Sequence, residues 1–220
     1  MSLTSELAAL RAKFRNAAPI EIRDAMDRAE LDLASSGMME RALKAGDFAP
    51  DFELPGVDGR AIRLSALLRE GPVVVSFYRG GWCPYCNLEL RALQSIGPQI
   101  KALGAHLLAV PPERPDESLS TAEKNALAFL VLSDVGNQVA RRFRITFDLA
   151  EALRPIYSRL GHALPDRNGD NSWSLPIPAT YIIGQEGRIV LAFVDIDYRS
   201  RLDPVEVIKA LQKLRSHAAA

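Results

Sequence analysis

Cysteine is scarce: two residues in a chain of 220. A disulfide framework is therefore excluded. Charge of one sign is also lacking, with Lys and Arg totalling 27 against 27 for Asp and Glu. Without a basic surplus there is little to neutralise phosphates, so no nucleic-acid partner is expected. No apolar run approaches the roughly 18 residues of a membrane helix. The longest, Pro72 to Tyr78 (PVVVSFY), has the length of a buried strand. No membrane partner is expected. The opening MSLTSELAALRAKF lacks the apolar stretch and small-residue cleavage site of a secretory signal, which makes the cytoplasm the expected location. Histidine is sparse, and His106, His162 and His217 are scattered. A zinc site needs about four ligands, so no metal is expected. No glycine-rich phosphate loop occurs, and no cofactor is expected.

What is present falls into three regions. Residues 1 to about 45 carry Leu3, Leu7, Leu10 and Phe14, then after Pro19 Ile22, Met26, Ala29 and Leu33. This spacing predicts an amphipathic helical extension. Packing on its own domain is the first reading, and an arm for a homodimer is the second. From about residue 46, apolar runs alternate with helical patterns. Phe52–Leu54 and Ala61–Leu64 flank a Gly-Val-Asp-Gly turn, suggesting a hairpin. Val73–Tyr78 reads as a strand covered on both faces. A helix is predicted from Cys83 through Leu103, kinked at Pro98. His106–Val110 is the next strand. A helix over Glu117–Leu127, a short strand at Val131–Leu132 and a helix over Val135–Phe143 follow.

The third region closes the same domain, which spans 46–217. Leu149–Leu160 looks helical, and 161–178 reads as a loop holding Trp173. Tyr181–Ile183 and Ile189–Val194 form a hairpin. In the last helix Asp203 is the predicted N-cap, Pro204 the first residue and Glu206 the partner in a capping box. The alternation implies an α/β fold with a central mixed sheet flanked by helices.

Both cysteines lie in one window, Cys83-Pro84-Tyr85-Cys86, after a strand and a Gly-Gly turn and at a helix start. First-turn N–H groups there lack partners, and the helix dipole favours an anion. Such a setting lowers a thiol pKa from about 8.5 to about 3.5–7.5. The thiolate is the nucleophile, and a second thiol three residues away can resolve an oxidised first one. A loop this short makes a poor structural staple.

At this point the chain resembles the peroxiredoxin (AhpC/TSA) branch of the thioredoxin-like superfamily. The resemblance rests on Gly46-Asp47-Phe48-Ala49-Pro50-Asp51-Phe52-Glu53-Leu54 and on Val75–Tyr78 leading into the cysteines. It covers residues 46 to about 212. The family's Pro-x-x-x-Thr-x-x-Cys motif falls on Arg79–Cys86, its peroxidatic cysteine on Cys86 and its glutamate on Glu89. Three matched positions differ: Arg79 replaces the motif proline, Cys83 the threonine, and Pro178 the family arginine. Those changes resemble thioredoxins and glutaredoxins, with Trp82-Cys83 opening a dithiol motif and Pro178 where those proteins carry a cis-proline. The buried thioredoxin aspartate is matched by Ser76.

The resemblance implies a thioredoxin-like fold, and the alternatives remain open. A peroxidase would use Cys86 against hydrogen peroxide or an organic hydroperoxide and Cys83 to form the disulfide, with a thioredoxin- or glutathione-type reductant. A dithiol–disulfide oxidoreductase would use Cys83 first, on a disulfide substrate. A redox-sensing protein would keep the fold without turnover. Trp82, Pro84, Tyr85, Arg79, Pro178 and Trp173 are the expected supporting residues. Arg79 is expected to offer positive charge to the sulfur, or merely to pair with Asp51 or Glu89. Trp173 is read as a cover over the site, His162 as a surface residue, and Asp195 and Asp197 as a solvated loop.

Overall fold

A computed structural model describes residues 2–218, with the side chains of His217 and Ala218 left outside the description. The helical extension forms α1 (Leu3–Ala17), α2 (Ile20–Ala34) and the short α3 (Met38–Arg41). The Ser2 side chain caps α1 by accepting the Ser5 N–H. A hairpin follows, β1 (Glu53–Pro55) with β2 (Ala61–Arg63), leading into α4 (Leu64–Leu68).

The core alternates strand and helix: β3 (Val73–Phe77), α5 (Pro84–Ala102), β4 (His106–Val110), α6 (Pro115–Lys124), β5 (Leu130–Val131) and α7 (Gln138–Arg142). Then come β6 (Thr146–Asp148), α8 (Arg154–Arg159), α9 (Leu164–Asn168), β7 (Ser174–Pro176), β8 (Ala179–Ile183), β9 (Ile189–Val194) and α10 (Pro204–Ala218). Five strands form one mixed sheet in the order β5-β4-β3-β8-β9. β3 is parallel to β4 and antiparallel to β8.

β3 is central, and its five residues are all buried. Alternation along the strand splits the core in two. Val73, Val75 and Phe77 pack with Leu108, Phe143 and Tyr181 on one face. Val74 packs with Leu93 and Ile100 of α5 and with Val207 and Leu211 of α10 on the other. α5 runs unbroken through Pro98. The sheet thus aims the β3 end and the α5 start at one corner.

The extension packs on its own chain. Leu3 and Leu7 of α1 join the cluster that contains Cys83, Tyr85 and Cys86. Ile22, Met26 and Ala29 of α2 pack on Leu153, Ile156 and Tyr157 around α8. Each apolar side chain buried this way contributes roughly 1.5–3 kcal/mol when fully covered. Two ion pairs also tie the extension down, Arg11 to Asp197 at 3.1 Å and Glu30 to Arg199.

Several expectations are corrected. The segment 161–178 is no plain loop, since it contains α9 and β7, and β7 pairs with β6. The Leu149–Leu160 helix is split into a 3-10 turn at Glu151–Leu153 and α8. Asp203 caps α10 by accepting the Val205 N–H at 3.0 Å, but Glu206 pairs with Lys209 instead of closing a capping box. The expected cis bond before Pro178 is absent, as are cis bonds throughout the described residues. The Ile177 N–H donates to the Ile145 carbonyl at 2.7 Å, and the chain runs on extended into β8. No helix among the described residues is long and apolar enough to cross a membrane.

Candidate active site

β3 ends in Tyr78, Arg79, Gly80 and Gly81 before α5 begins. Gly80 has a φ of 140°, and a Cβ there would stand 2.3 Å from the Trp82 indole nitrogen. A Cβ on Gly81 would meet the Thr121 hydroxyl at 1.9 Å. Only glycine fits this tight turn. Polar side chains hold it. The Gly81 N–H donates to Glu113 at 2.8 Å, Asn87 donates to the Gly81 carbonyl at 2.8 Å, and Asn125 donates to Asn87 at 2.9 Å.

Cys83 is the N-cap of α5 and Cys86 lies in its first turn. Both are free thiols and buried, Cys83 at 1% exposure and Cys86 at 0%. The two sulfurs share a hydrogen bond. Burial raises the Cys83 thiol, but the hydrogen bond from Cys86, then Arg79 and Arg201, outweigh it and pull it down to about 6. Burial, followed by the hydrogen bond and the charge of Cys83, drives Cys86 well up. The pair therefore gives up one proton early and keeps the other.

Two guanidinium groups flank the sulfurs. Arg201 donates Nη2 to Cys86 Sγ at 3.4 Å and Nε to Glu89 at 2.6 Å. Glu89 also accepts from the Thr180 hydroxyl at 3.3 Å. Burial outweighs the pull of Arg201 and raises the Glu89 carboxyl to about 7. Arg79, whose charge also acts on Cys83, is 3% exposed and donates to the Tyr157 hydroxyl. Its guanidinium carbon lies 4.3 Å from the centre of the Tyr198 ring and 5.0 Å from that of Trp82. Such contacts favour a desolvated cation. An easily ionised sulfur, a second sulfur in hydrogen-bond reach and two fixed cations can support attack on an electrophilic sulfur or oxygen.

The sequence profile described as the AhpC/TSA family matches residues 45–192. The chain belongs to the AhpC/TSA family. Peroxiredoxin Bcp of Escherichia coli (strain K12) is 34% identical over 103 residues, which is 47% of this chain and 65% of that protein. A putative peroxiredoxin of Mycobacterium tuberculosis is 31% identical over 114 residues, 52% of this chain and 74% of that one. Among solved structures, peroxidoxin BcpB of M. tuberculosis superposes with a TM-score of 0.60 at 24% identity, covering 79% of this chain and 97% of that one. A reduced Plasmodium vivax 2-Cys peroxiredoxin gives 0.62 at 15% identity, covering 80% and 84%. Both likenesses establish the thioredoxin-like fold.

In this AhpC/TSA chain the residues singled out from the sequence meet unevenly. Trp82 and Tyr85 join the cysteines in one buried cluster, and Pro84 opens α5 at the surface. Tyr85 meets Tyr198 edge-on at 5.6 Å. Arg79 pairs with neither Asp51, which binds Ser65, nor Glu89, which binds Arg201. Pro178 lines a cavity together with Arg79, Tyr157 and Tyr198. Trp173 packs with Leu149 and Leu153, in a cluster that Trp82 also touches. Ser76 is buried with its hydroxyl unpartnered.

His162 is no plain surface residue, since its ring stacks on Trp82 at 5.0 Å. Asp197 is likewise engaged, accepting from Arg11 and Arg199. The sequence reading missed Arg201 and Glu113. Arg201 sits 115 residues from Cys86 in sequence, so no local spacing reveals it. The nearest signal was the charged stretch after β9, Asp195 to Arg201. Glu113 follows Pro111 and Pro112 in the stretch between the predicted strand and helix, where no spacing marks it.

Proposed function

We propose that the chain is a thiol-dependent peroxidase that reduces hydrogen peroxide or organic hydroperoxides through a Cys83/Cys86 dithiol–disulfide cycle. The observation that carries this reading is the Arg201 guanidinium bound at once to the Cys86 sulfur and to Glu89. It places a fixed cation where the attacking sulfur and the departing oxygen both carry negative charge.

The proton shared between the sulfurs puts a charge on either one within a single transfer. The Cys86 thiolate attacks the terminal oxygen of RO–OH, the O–O bond breaks, and RO⁻ leaves to take a proton as ROH. Cys86 becomes a sulfenic acid. The Cys83 thiol then attacks that sulfur, forming the disulfide and releasing water. Two reducing equivalents from a thioredoxin- or glutathione-type donor restore the dithiol. A reducing cytoplasmic setting suits that cycle. The extension, packed on its own chain, supports an arm closed on its domain over a homodimer arm.

One observation favours a second reading. Cys83 is the more acidic thiol, as a dithiol–disulfide oxidoreductase attacking through Cys83 requires. Replacing each cysteine singly by Ser separates the two. Loss of first-turnover peroxide reduction in Cys86→Ser alone supports the peroxidase. Loss of disulfide exchange in Cys83→Ser alone, with peroxide ignored by the parent chain, overturns it.

A further inference from the structure

A cavity of about 380 Å³ lies between α2 and α3 on one side and the β6–α8 segment on the other. That is within the range of about 300–1,000 Å³ typical of small-molecule sites. Met26, Ala29, Leu33, Phe147, Leu153 and Ile177 give it apolar walls. Its buried end is made by Arg79, Tyr157 and Pro178.

Arg79 is the unusual group there. No carboxylate among the described residues lies within ion-pair distance of it, and its Nε is buried without a partner. Its guanidinium rests on the Tyr198 and Trp82 rings, which pack in the same cluster as Cys83 and Cys86, so the ionised dithiol is the anion that acts on it; burial keeps the Tyr198 phenol protonated. A disulfide carries no such charge. Once the sulfurs are joined, Arg79 is a buried cation with no counter-ion, a costly state that an incoming anion relieves. The cavity is the open approach to it. Three acidic groups, Glu30 tied to Arg199, Asp148 bound to Ser174, and Asp32, line this space against one further cation, the exposed Arg41, which donates to the Ser36 carbonyl. They select against a second negative charge on the ligand.

We propose that this cavity binds an amphipathic monocarboxylate, its tail between α2 and α8 and its carboxylate on Arg79, and that the disulfide form binds it more tightly than the dithiol. The inference rests on the Cys83–Cys86 disulfide and not on which substrate creates it. Binding and redox state are then linked reciprocally. A ligand that prefers the disulfide tenfold makes it harder to reduce by about 30 mV.

The test uses octanoate as the probe and the full chain in both redox forms. The disulfide is made with diamide, which takes up the two electrons and two protons, and is confirmed by mass. Calorimetry is expected to show octanoate binding at least tenfold tighter to the disulfide form, with octanol and octyltrimethylammonium far weaker. Saturating octanoate is expected to shift a dithiothreitol redox titration toward disulfide by the matching amount. Ala29→Trp, at a half-buried wall position, is expected to abolish octanoate binding in a chain that circular dichroism shows to be folded. Arg79→Met is expected to erase the preference for octanoate over octanol.

Equal affinity in both redox forms, or octanol binding as well as octanoate, would overturn the proposal. So would undiminished binding in Ala29→Trp. A chain inert to peroxide that keeps the octanoate preference overturns the peroxidase reading and leaves this one standing.

Discussion

Replacing Arg201 by Met removes one guanidinium from two partners at once. The Arg201 and Glu89 side chains are each 2% exposed and meet at 2.6 Å. Breaking one side of such a pair costs about 3–5 kcal/mol, because the remaining charge is stranded. The Cys86 sulfur also loses a charged hydrogen bond, a contact worth about 1.5–3 kcal/mol. The same cation acts on Cys83, so at 1.36 kcal/mol per pKa unit its loss raises the first ionisation of the pair by roughly one to two units. Urea unfolding reads the stability, and absorbance of the thiolate near 240 nm reads the titration.

A sign follows for pH. Burial already holds Glu89 at about 7, and without Arg201 it rises further. The variant keeps its proton in the folded state where the unfolded chain has lost it, so its stability falls as pH rises. The deficit against the parent is expected to be larger at about pH 8 than at about pH 6. Glu89→Gln combined with Arg201→Met strands no charge and should recover most of the loss. A single-variant deficit under about 1 kcal/mol, or a double variant no better than the sum of the singles, would refute the assignment of this pair.

Three more outcomes are expected. Gly81→Ala drives a Cβ to 1.9 Å from the Thr121 hydroxyl, so it should cost about 1–3 kcal/mol by thermal melting, with part recovered in a Thr121→Ala background. Burial, against the Gly81 hydrogen bond, raises Glu113 to about 7 from an ordinary 4.5. The folded chain therefore holds more protons between those values, and stability should fall across that window by at most about 3 kcal/mol. A Glu113→Gln variant should flatten that slope in urea titrations. Leu7→Glu should loosen α1 from the cysteine cluster and speed iodoacetamide trapping of the dithiol at least about tenfold, a local-opening effect measurable by mass.

Much of the fold could be read along the chain because its signals are local. The β-branched run Val73–Phe77 announced a strand buried on both faces, and it is the central strand. The Gly80-Gly81 turn and Pro84 announced the start of α5. The pieces that escaped are those whose pattern is set by distant partners. β7 is three residues, Ser174–Pro176, ending in proline, and exists as a strand because β6 pairs with it. Arg201 reaches Cys86 only because β9 and the turn after it return the chain to the α5 start. Arg79 was recognised, but its partner was not, since a cation held by aromatic rings leaves no acidic signature in sequence.

The two bridges that hold the extension, Arg11 to Asp197 and Glu30 to Arg199, both end on the turn that also delivers Arg201. The Arg11 side chain is 46% exposed, so that clasp is screened by dissolved ions, over a Debye length of about 8 Å at physiological strength. High ionic strength is therefore expected to loosen the α1 clasp, and iodoacetamide trapping of the dithiol should quicken as salt is raised.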